Sequence, residues 1–371
     1  MEDGTVRLAT RGSELALRQA AGVRDAVATR RLSVELVEVE TRGDRVRDEL
    51  IHRLGRIGAF VHALDQRVLD GEVDGAVHSM KDMPTERPED LVVAAVPERA
   101  PAGDVLVTPD GSGLDDLPAG AVVGTSSLRR KALLYRERPD LEVRPLRGNV
   151  DTRVEKLLAP TLQREHERRL AAAGELDEDV DADFDRTPEE WFDALSAVER
   201  RALERETETE YDGIVLAEAG LSRLGLLESV AHERLPADSF VPAPGQGAVA
   251  VTAADEAAID LLHEKADHPR TRVETTVERT VLAELGGGCV APIGVHARIQ
   301  GEYVHVDAAV ASADGSEVID AARDLPVESH AEAAADFAAD LADRGAAALI
   351  DEAREASDAD ENAGVHGDDD E

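Results

Sequence analysis

The sequence predicts an α/β protein with two successive lobes, followed by a small α+β domain at the C-terminus. Short apolar strands alternate with amphipathic helical segments through most of the chain, a rhythm typical of sheets covered by helices. Proline-marked segments at residues 97–103 and 236–244 interrupt this rhythm and are the predicted crossings between the lobes. From Pro269 onward, alternating strands joined by tight turns predict an antiparallel sheet.

The first lobe is predicted between residues 6 and 96. Short apolar or alternating runs predict its strands, and apolar residues three or four positions apart predict its helices. The predicted strands cover residues 6–9, 34–39, 74–78 and 91–96, and the predicted helices cover residues 14–28 and 59–69.

The second lobe repeats this pattern between the two crossings, and two similar units joined twice predict a cleft that can open and close. Its predicted strands cover residues 105–108, 121–124, 141–146 and 213–217, and its predicted helices cover residues 128–136 and 150–158, with a short helix ending at Leu224. In the C-terminal domain, helices are predicted over residues 270–285 and 331–343 and strands over residues 293–299, 303–311 and 317–322.

One segment is predicted to be an addition to this plan. Residues 161–208 are densely charged and contain a helix-capping box at residues 187–190, after which Trp191, Leu195 and Val198 form one apolar stripe. We expect a helical insertion on the surface, away from the cleft.

The composition disfavours several classes of function. The 371 residues contain 41 Lys and Arg against 79 Asp and Glu, a net charge of −38, so a nucleic-acid partner is not expected. No apolar run approaches the ~18 residues of a membrane span, and the N-terminus has no secretory-signal pattern, so we expect a cytoplasmic protein without a membrane partner. The single cysteine excludes an internal disulfide. The histidines show no metal-binding spacing, so no metal is expected.

The chain also contains few lysines and few aromatic residues. Lysine occurs only at positions 81, 131, 156 and 265, and aromatic residues make up 2% of the chain. Such an acidic, lysine-poor chain resembles the proteins of halophiles, whose surface carboxylates hold water and cations while salt screens their repulsion. The acidic residues 356–371 are expected to form a disordered tail, because they offer little apolar surface to bury.

Two strand-to-helix turns share one design. Residues 6–14 and 122–130 each run from an apolar strand through a polar turn, with serine, threonine and arginine, into a helix. Backbone N–H groups at a helix N-terminus, joined by hydroxyl and guanidinium groups, form an anion site. The alternative is that the hydroxyls only cap the helices and the arginines are solvated. Two copies in successive units favour the anion site.

Further arginines follow strand ends, where ligands of open α/β sheets bind. The arginines in such positions are Arg11, Arg129, Arg130, Arg147, Arg153 and Arg223. Several guanidinium groups in one cleft predict a ligand with several carboxylates or phosphates. The chain lacks the glycine-rich loop that cradles nucleoside triphosphates, so such a ligand is not expected. Ordinary surface arginines are the alternative.

Two other features could carry chemistry. The strand at residues 74–78 runs into Lys81-Asp82, followed by Pro84. Asp82, kept ionised by Lys81, would stabilise a developing cation or transfer protons, whereas the alternative is an exposed ion pair. Cys289 follows three glycines that leave room beside its sulfur. It is either a small buried apolar residue or a nucleophile and point of covalent attachment.

These segments together resemble the hydroxymethylbilane synthase family, also called porphobilinogen deaminase. The matching segments, in the order of the family, are residues 9–13, 41–44, 78–82, 124–130, 146–150, 216–226, 244–248, 287–289 and 292–294. The resemblance implies two lobes like those of type II periplasmic binding proteins, with mixed sheets, and a third domain that carries the cysteine on a loop. The implied domains are residues 1–98 with 246–266, residues 103–241 and residues 269–355, in a chain expected to be monomeric.

The resemblance also implies the chemistry. Four porphobilinogen molecules are joined head to tail, with loss of ammonia, on a dipyrromethane cofactor linked to Cys289 by a thioether, and water then releases the linear tetrapyrrole hydroxymethylbilane. Neither a metal nor a nucleotide is implied. Asp82 matches the catalytic aspartate. The implied cofactor-binding residues are Cys289, Lys81, Ser127, Arg129, Arg130 and Arg147, and the implied substrate-binding residues are Arg11, Ser13, Arg147, Arg153, Arg223 and Gln246.

The chain departs from the family pattern in one loop. Many relatives have Gly-Lys-Gly where this chain has Gly55-Arg56-Ile57-Gly58, so Arg56 is the available substitute for the lysine. A hypothesis from another class is a non-catalytic, two-lobed binder of small anions. Such a binder would use the same turns but would not need Cys289, and an exported binder would carry a signal.

Overall fold

The computed structural model describes residues 4–39, 57–176, 182–206, 208–288 and 291–353. The strands are β1 (Gly4–Arg11), β2 (Leu32–Val39), β3 (Gly75–Ser79), β4 (Val92–Ala95), β5 (Asp104–Val107), β6 (Val122–Gly124), β7 (Glu142–Arg144), β8 (Gly213–Ala217), β9 (His232–Arg234), β10 (Val249–Ala253), β11 (Ile293–Gln300), β12 (Tyr303–Ala311) and β13 (Val318–Pro326). The helices are α1 (Glu14–Val27), α2 (Ile57–Leu69), α3 (Leu128–Glu137), α4 (Val150–Ala172), α5 (Pro188–Ala194), α6 (Ala197–Leu203), α7 (Glu218–Leu224), α8 (Glu256–Ala266), α9 (Pro269–Glu284) and α10 (His330–Asp343).

The first lobe is a five-stranded mixed sheet in the order β2-β1-β3-β10-β4. β1 is parallel to β2 and β3, whereas β10 runs antiparallel to β3 and β4. Apolar side chains of α1 and α8 form one core cluster with the sheet, and those of α2 form another. Because β10 follows the second crossing, this lobe is completed only by a strand distant in sequence.

The second lobe follows the same plan in the order β7-β6-β8-β5-β9. β6 is parallel to β7 and β8, and β5 is antiparallel to β8 and β9. The parallel strands of each lobe therefore end at one edge. These two mixed sheets, with the small third domain, confirm the predicted fold class. The residue patterns do not predict β9, β10 or α8.

The third domain packs helices on one antiparallel sheet, β11-β12-β13. Its core joins Val277 and Val281 of α9 to Val295 and Val306 of the sheet and to Phe337 of α10, all of which are at most 1% exposed. α9 thus belongs to this domain, while its other face reaches the first lobe.

The charged segment at residues 161–208 forms helices, but Trp191, Leu195 and Val198 do not form one apolar stripe on a single helix. The cap at Thr187 is confirmed, because its hydroxyl accepts a hydrogen bond from the Glu190 N–H at 3.2 Å. The stripe is wrong because α5 ends before Leu195. Ser196 and Glu199 then form a second capping box that begins α6.

α4 also runs beyond its predicted end at residue 158, to Ala172. Tertiary contacts support this length, because Gln163 Nε2 donates to the carbonyls of Leu203 at 3.1 Å and Arg205 at 2.8 Å. Nearer the start of the helix, Glu155, 3% exposed, is paired with Arg201 of α6 and with Arg205. No helix within the described ranges is long and apolar enough to cross a membrane.

Candidate functional site

The two predicted turns form helix N-termini at the carboxyl edges of the sheets. The Ser13 hydroxyl accepts a hydrogen bond from the Ala16 N–H at 3.3 Å, and the Ser127 hydroxyl accepts one from the Arg130 N–H at 3.4 Å. Both serines therefore cap their helices. Arg11 ends β1, and β1 is parallel to β3, so Arg11 and the residues that follow β3 lie at one edge.

A buried carboxylate anchors the second turn. Asp104 Oδ2 lies 2.7 Å from Arg129 Nη2, and Asp104 Oδ1 lies 2.8 Å from Arg130 Nη2. Burial by itself would raise the pKa of Asp104, but the two guanidinium groups outweigh it and hold that pKa well below its usual value. Arg129 Nη1 also donates to the Val241 carbonyl at 2.7 Å. The sequence analysis did not predict a role for Asp104. The signal that could have found it is an acidic residue at the start of an apolar strand.

Lys81 and Arg153 both interact with the charge of Asp82. Burial lowers the pKa of Lys81, Asp82 and Asp104 oppose this, and Arg130 and Arg153 lower that pKa further. Burial and then Arg130 lower the pKa of Arg153 to about 10, again opposed by Asp82. Lys81, Arg130 and Arg153 thus share one region, which favours an anionic ligand.

The predicted arginines at positions 147, 153 and 223 differ in their contacts. Arg153 Nε donates to the Gly148 carbonyl at 2.8 Å, which fixes this side chain at the start of α4. Arg147 is half-buried just before the same helix. Arg223 donates to the Gly247 carbonyl at 2.7 Å, and burial lowers its pKa. Arg223 therefore contacts the chain between the second crossing and β10.

Gln246 lies just after the second crossing and is 1% exposed. Its Nε2 donates to Asp104 Oδ1 at 2.9 Å and to the Ala102 carbonyl, and its Oε1 accepts from Arg130 Nη2 at 3.3 Å. These bonds link both crossings to the arginine pair. Any effect of Gln246 on a ligand would pass through Arg130.

A second buried carboxylate joins the crossings to the third domain. Glu278 of α9 accepts two bonds from Arg99, at 2.7 and 3.0 Å. It also accepts from the N–H groups of Gly245, at 2.7 Å, and Ala297, at 2.8 Å. Arg99 Nε completes the junction by donating to the Gln246 carbonyl at 2.8 Å. The residue patterns gave no signal for this junction, because its members are far apart in sequence.

The turn that carries Asp82 is held from two sides. The Met80 N–H donates to the Ala248 carbonyl at 3.0 Å. Arg279 of α9 donates to the carbonyls of Met80 and Met83, each at 3.2 Å, and of Pro84 at 2.6 Å. The helix that leads toward the glycine loop thus contacts the Asp82 turn directly.

Some predicted features lie outside the described residues. These are Cys289, Arg56, residues 41–44 and the tail at residues 356–371. Within the described ranges, no group of three or more His, Cys, Asp or Glu side chains is arranged to hold a metal ion.

Comparison of the sequence with known proteins finds matches to two models of one protein family. The family model "Porphobilinogen deaminase, dipyromethane cofactor binding domain" matches residues 6–174 and 193–260, and "Porphobilinogen deaminase, C-terminal domain" matches residues 273–343. The first match is interrupted only at residues 175–192, within the charged segment.

Curated relatives match almost the full length. A "Probable porphobilinogen deaminase" of Halobacterium salinarum is 53% identical and covers 95% of this chain and 99% of its own. One of the same name from Methanococcoides burtonii is 39% identical, covering 93% and 96%. A "Porphobilinogen deaminase" of Desulforudis audaxviator is 40% identical, covering 87% and 89%.

Proposed function

This chain belongs to the porphobilinogen deaminase family, and from that premise we propose which of its residues carry the reaction. The activity is that of a transferase, a hydroxymethylbilane synthase with a dipyrromethane cofactor. Four porphobilinogen molecules are joined head to tail with loss of ammonia, and water releases the linear product. Family membership disfavours the alternative of a non-catalytic anion binder.

One observation carries the proposal: Lys81, Arg130 and Arg153 interact with one another beside Asp82, so cations gather there in a protein whose net charge is −38. Porphobilinogen carries an acetate and a propionate, so every addition brings two carboxylates into the cleft. Guanidinium groups bind carboxylates through charge-assisted, often bidentate hydrogen bonds. We assign substrate binding to these positions at the strand ends: Arg11, Ser13, Arg147, Arg153 and Arg223, with Gln246 acting through Arg130.

The donor set fits the dipyrromethane cofactor, whose side chains are carboxylates. Arg129 Nε is buried with no hydrogen-bond partner among the described residues, so it is a donor left for a ligand. We propose that Lys81, Ser127, Arg129, Arg130 and Arg147 hold the cofactor and that Cys289 bears it through a thioether. When bound, the cofactor supplies the pyrrole end at which chain growth starts.

Asp82 is the proposed catalytic residue. It would accept a hydrogen bond from the pyrrole N–H of the porphobilinogen unit whose aminomethyl C–N bond breaks. A carboxylate there stabilises the cationic azafulvene left when ammonia departs. The charges of Lys81 and Arg153 interact with that of Asp82, so this carboxylate lies among cationic groups.

Intact mass spectrometry tests the covalent attachment. Protein from cells that make porphobilinogen should carry a dipyrrole adduct, and Cys289→Ala should lack it. An unmodified mass for the unsubstituted chain would contradict the assignment and would favour the anion-binding alternative.

Turnover tests the role of Asp82. Asp82→Asn should keep the adduct but lose turnover by about a hundredfold or more, because the neutral amide cannot stabilise the cation. Glu86→Gln, an exposed carboxylate of the same loop, is the matched control and should keep its rate. Near-normal turnover of Asp82→Asn would remove it from the catalytic role.

The location, oligomeric state, salt adaptation and domain boundaries of the protein are also proposals. We place it in the cytoplasm as a salt-adapted monomer without nucleic-acid or membrane partners. The charge of −38 and the Halobacterium relative support salt adaptation. We divide the chain into residues 1–98 with 246–266, 103–241 with an insertion at 161–208, and 269–355, in keeping with the three sheets.

A further inference from the structure

In the first lobe, two polar side chains from two strands share one buried carboxylate oxygen of a helix residue. Asp65 Oδ1 of α2 accepts a hydrogen bond from Thr252 Oγ1 of β10 at 2.8 Å and lies 2.9 Å from His78 Nε2 of β3. The three residues are 4%, 0% and 5% exposed, respectively. Burying a carboxylate is costly unless its bonds are kept, so each partner depends on the other two.

This Asp65 cluster, comprising Asp65, His78 and Thr252, lies directly behind the Asp82 turn. His78 is the penultimate residue of β3, and the turn begins immediately after that strand. The cluster also acts beyond the turn: burial lowers the pKa of Arg87, and the Asp65 charge opposes that shift. Asp65 therefore interacts with residues on both sides of Asp82.

Thr252 connects the cluster to the strand that completes the sheet. β10 pairs with β3, with Ala250 opposite His78, and the Ala248 carbonyl just before β10 accepts the Met80 N–H. A shift of β3 against β10 would consequently move the start of the Asp82 turn. The His78–Asp65–Thr252 bonds oppose that shift.

We propose that Asp65 is a positioning residue, which fixes β3 and β10 through His78 and Thr252 and so places the Asp82 carboxylate among Lys81 and Arg153. This inference rests on the proposed role of Asp82. Asp65 touches neither substrate nor cofactor. Removing it should therefore impair the chemical step while leaving the cationic ligand site intact.

The test compares Asp65→Asn, Asp65→Glu and Thr252→Val in the cofactor-loaded protein by kcat, KM, intact mass and thermal unfolding. Asp65→Asn should keep the adduct and a KM within about twofold but lose between about ten- and a hundredfold in kcat, as expected for a misplaced catalytic group. Asp65→Glu should recover part of kcat, and Thr252→Val should show the same kcat-against-KM split to a smaller degree.

The matched control is Glu155→Gln, which removes a buried carboxylate of the second lobe. Glu155 has two arginine partners of its own. The control variant should lower the unfolding temperature without changing kcat. Unchanged kcat in Asp65→Asn would overturn the proposal. If that variant does not fold, Thr252→Val decides, and its unchanged kcat would overturn the proposal equally. Active Asp82→Asn would instead show that the catalytic assignment itself has failed.

Discussion

Buried charges in this protein are paired by residues far away in sequence. Asp104 binds Arg129 and Arg130, Glu278 binds Arg99, and Glu155 binds two arginines beside α6. The pairs of Asp104 and Glu278 are desolvated on both sides, so removal of one member leaves an uncompensated charge, at a cost of about 3–5 kcal/mol. The arginines beside Glu155 are partly exposed, so we expect a smaller cost there. His296 differs, because its Nδ1 is buried with no hydrogen-bond partner among the described residues.

His296 should make stability depend on pH. Burial, then Arg99 and Arg298, lower its pKa to about 4, against opposing contributions from Asp307 and Glu274. Since unfolded histidine has a pKa of about 6.5, the unfolded chain takes up the proton first as the pH falls. Stability should thus be constant above pH ~6.5 and fall between ~6.5 and ~4, by about 2 kcal/mol between pH 7 and pH 5.

Urea unfolding at these two pH values in high salt, compared with His296→Asn, checks this expectation. The variant should lose most of the difference between the two pH values, since it cannot bind the proton. An equal pH dependence in both proteins would rule out His296 as the source. Asp104 does not interfere, because its pKa is held below the usual value of ~3.9 and it stays ionised throughout.

At the scale of secondary-structure elements, two faces of α9 make different contacts. One face contributes Val277 and Val281 to the core of the third domain. Another presents Glu278 to the crossings and Arg279 to the Asp82 turn. Because the helix is rigid, it fixes the distance between the start of the glycine loop and that turn.

Arg279→Ala should reduce turnover about tenfold or more, because three carbonyls of the Asp82 turn lose their donor. Arg279→Lys should recover little, since an ammonium group cannot reproduce the planar fork. Steady-state rates with Arg270→Ala as the control measure this, because Arg270 is an exposed arginine of the same helix. Equal rates for the Arg270 and Arg279 variants would contradict the assigned role.

At the scale of the whole molecule, the excess negative charge contrasts with a local group of cations. The chain carries a large excess of carboxylates, whereas Lys81, Arg130 and Arg153 gather beside Asp82 and Asp104. The surface charges repel one another over the Debye length, which is about 10 Å at 0.1 M salt and about 3 Å at 1 M. The residues that we propose to hold the anionic ligand are partly buried, so salt should screen them less.

Melting followed by circular dichroism should therefore show an unfolding temperature that rises steeply with KCl from about 0.1 M to about 1 M and then levels off. The physical reason is the screening of repulsion in the folded state. An unfolding temperature that is flat or falls over this range would contradict the proposed salt adaptation.

By itself, the sequence determined the local elements and the family of this protein. Apolar period, serine caps and strand-end arginines are short-range signals, and they predicted β12 at its observed bounds and the turns at Ser13 and Ser127. Only the tertiary structure decided that β10 pairs between β3 and β4 and that Asp65, Asp104 and Glu278 meet their partners. Such pairings depend on the path of the whole chain, because a desolvated charge can be satisfied by any donor that folding brings within reach.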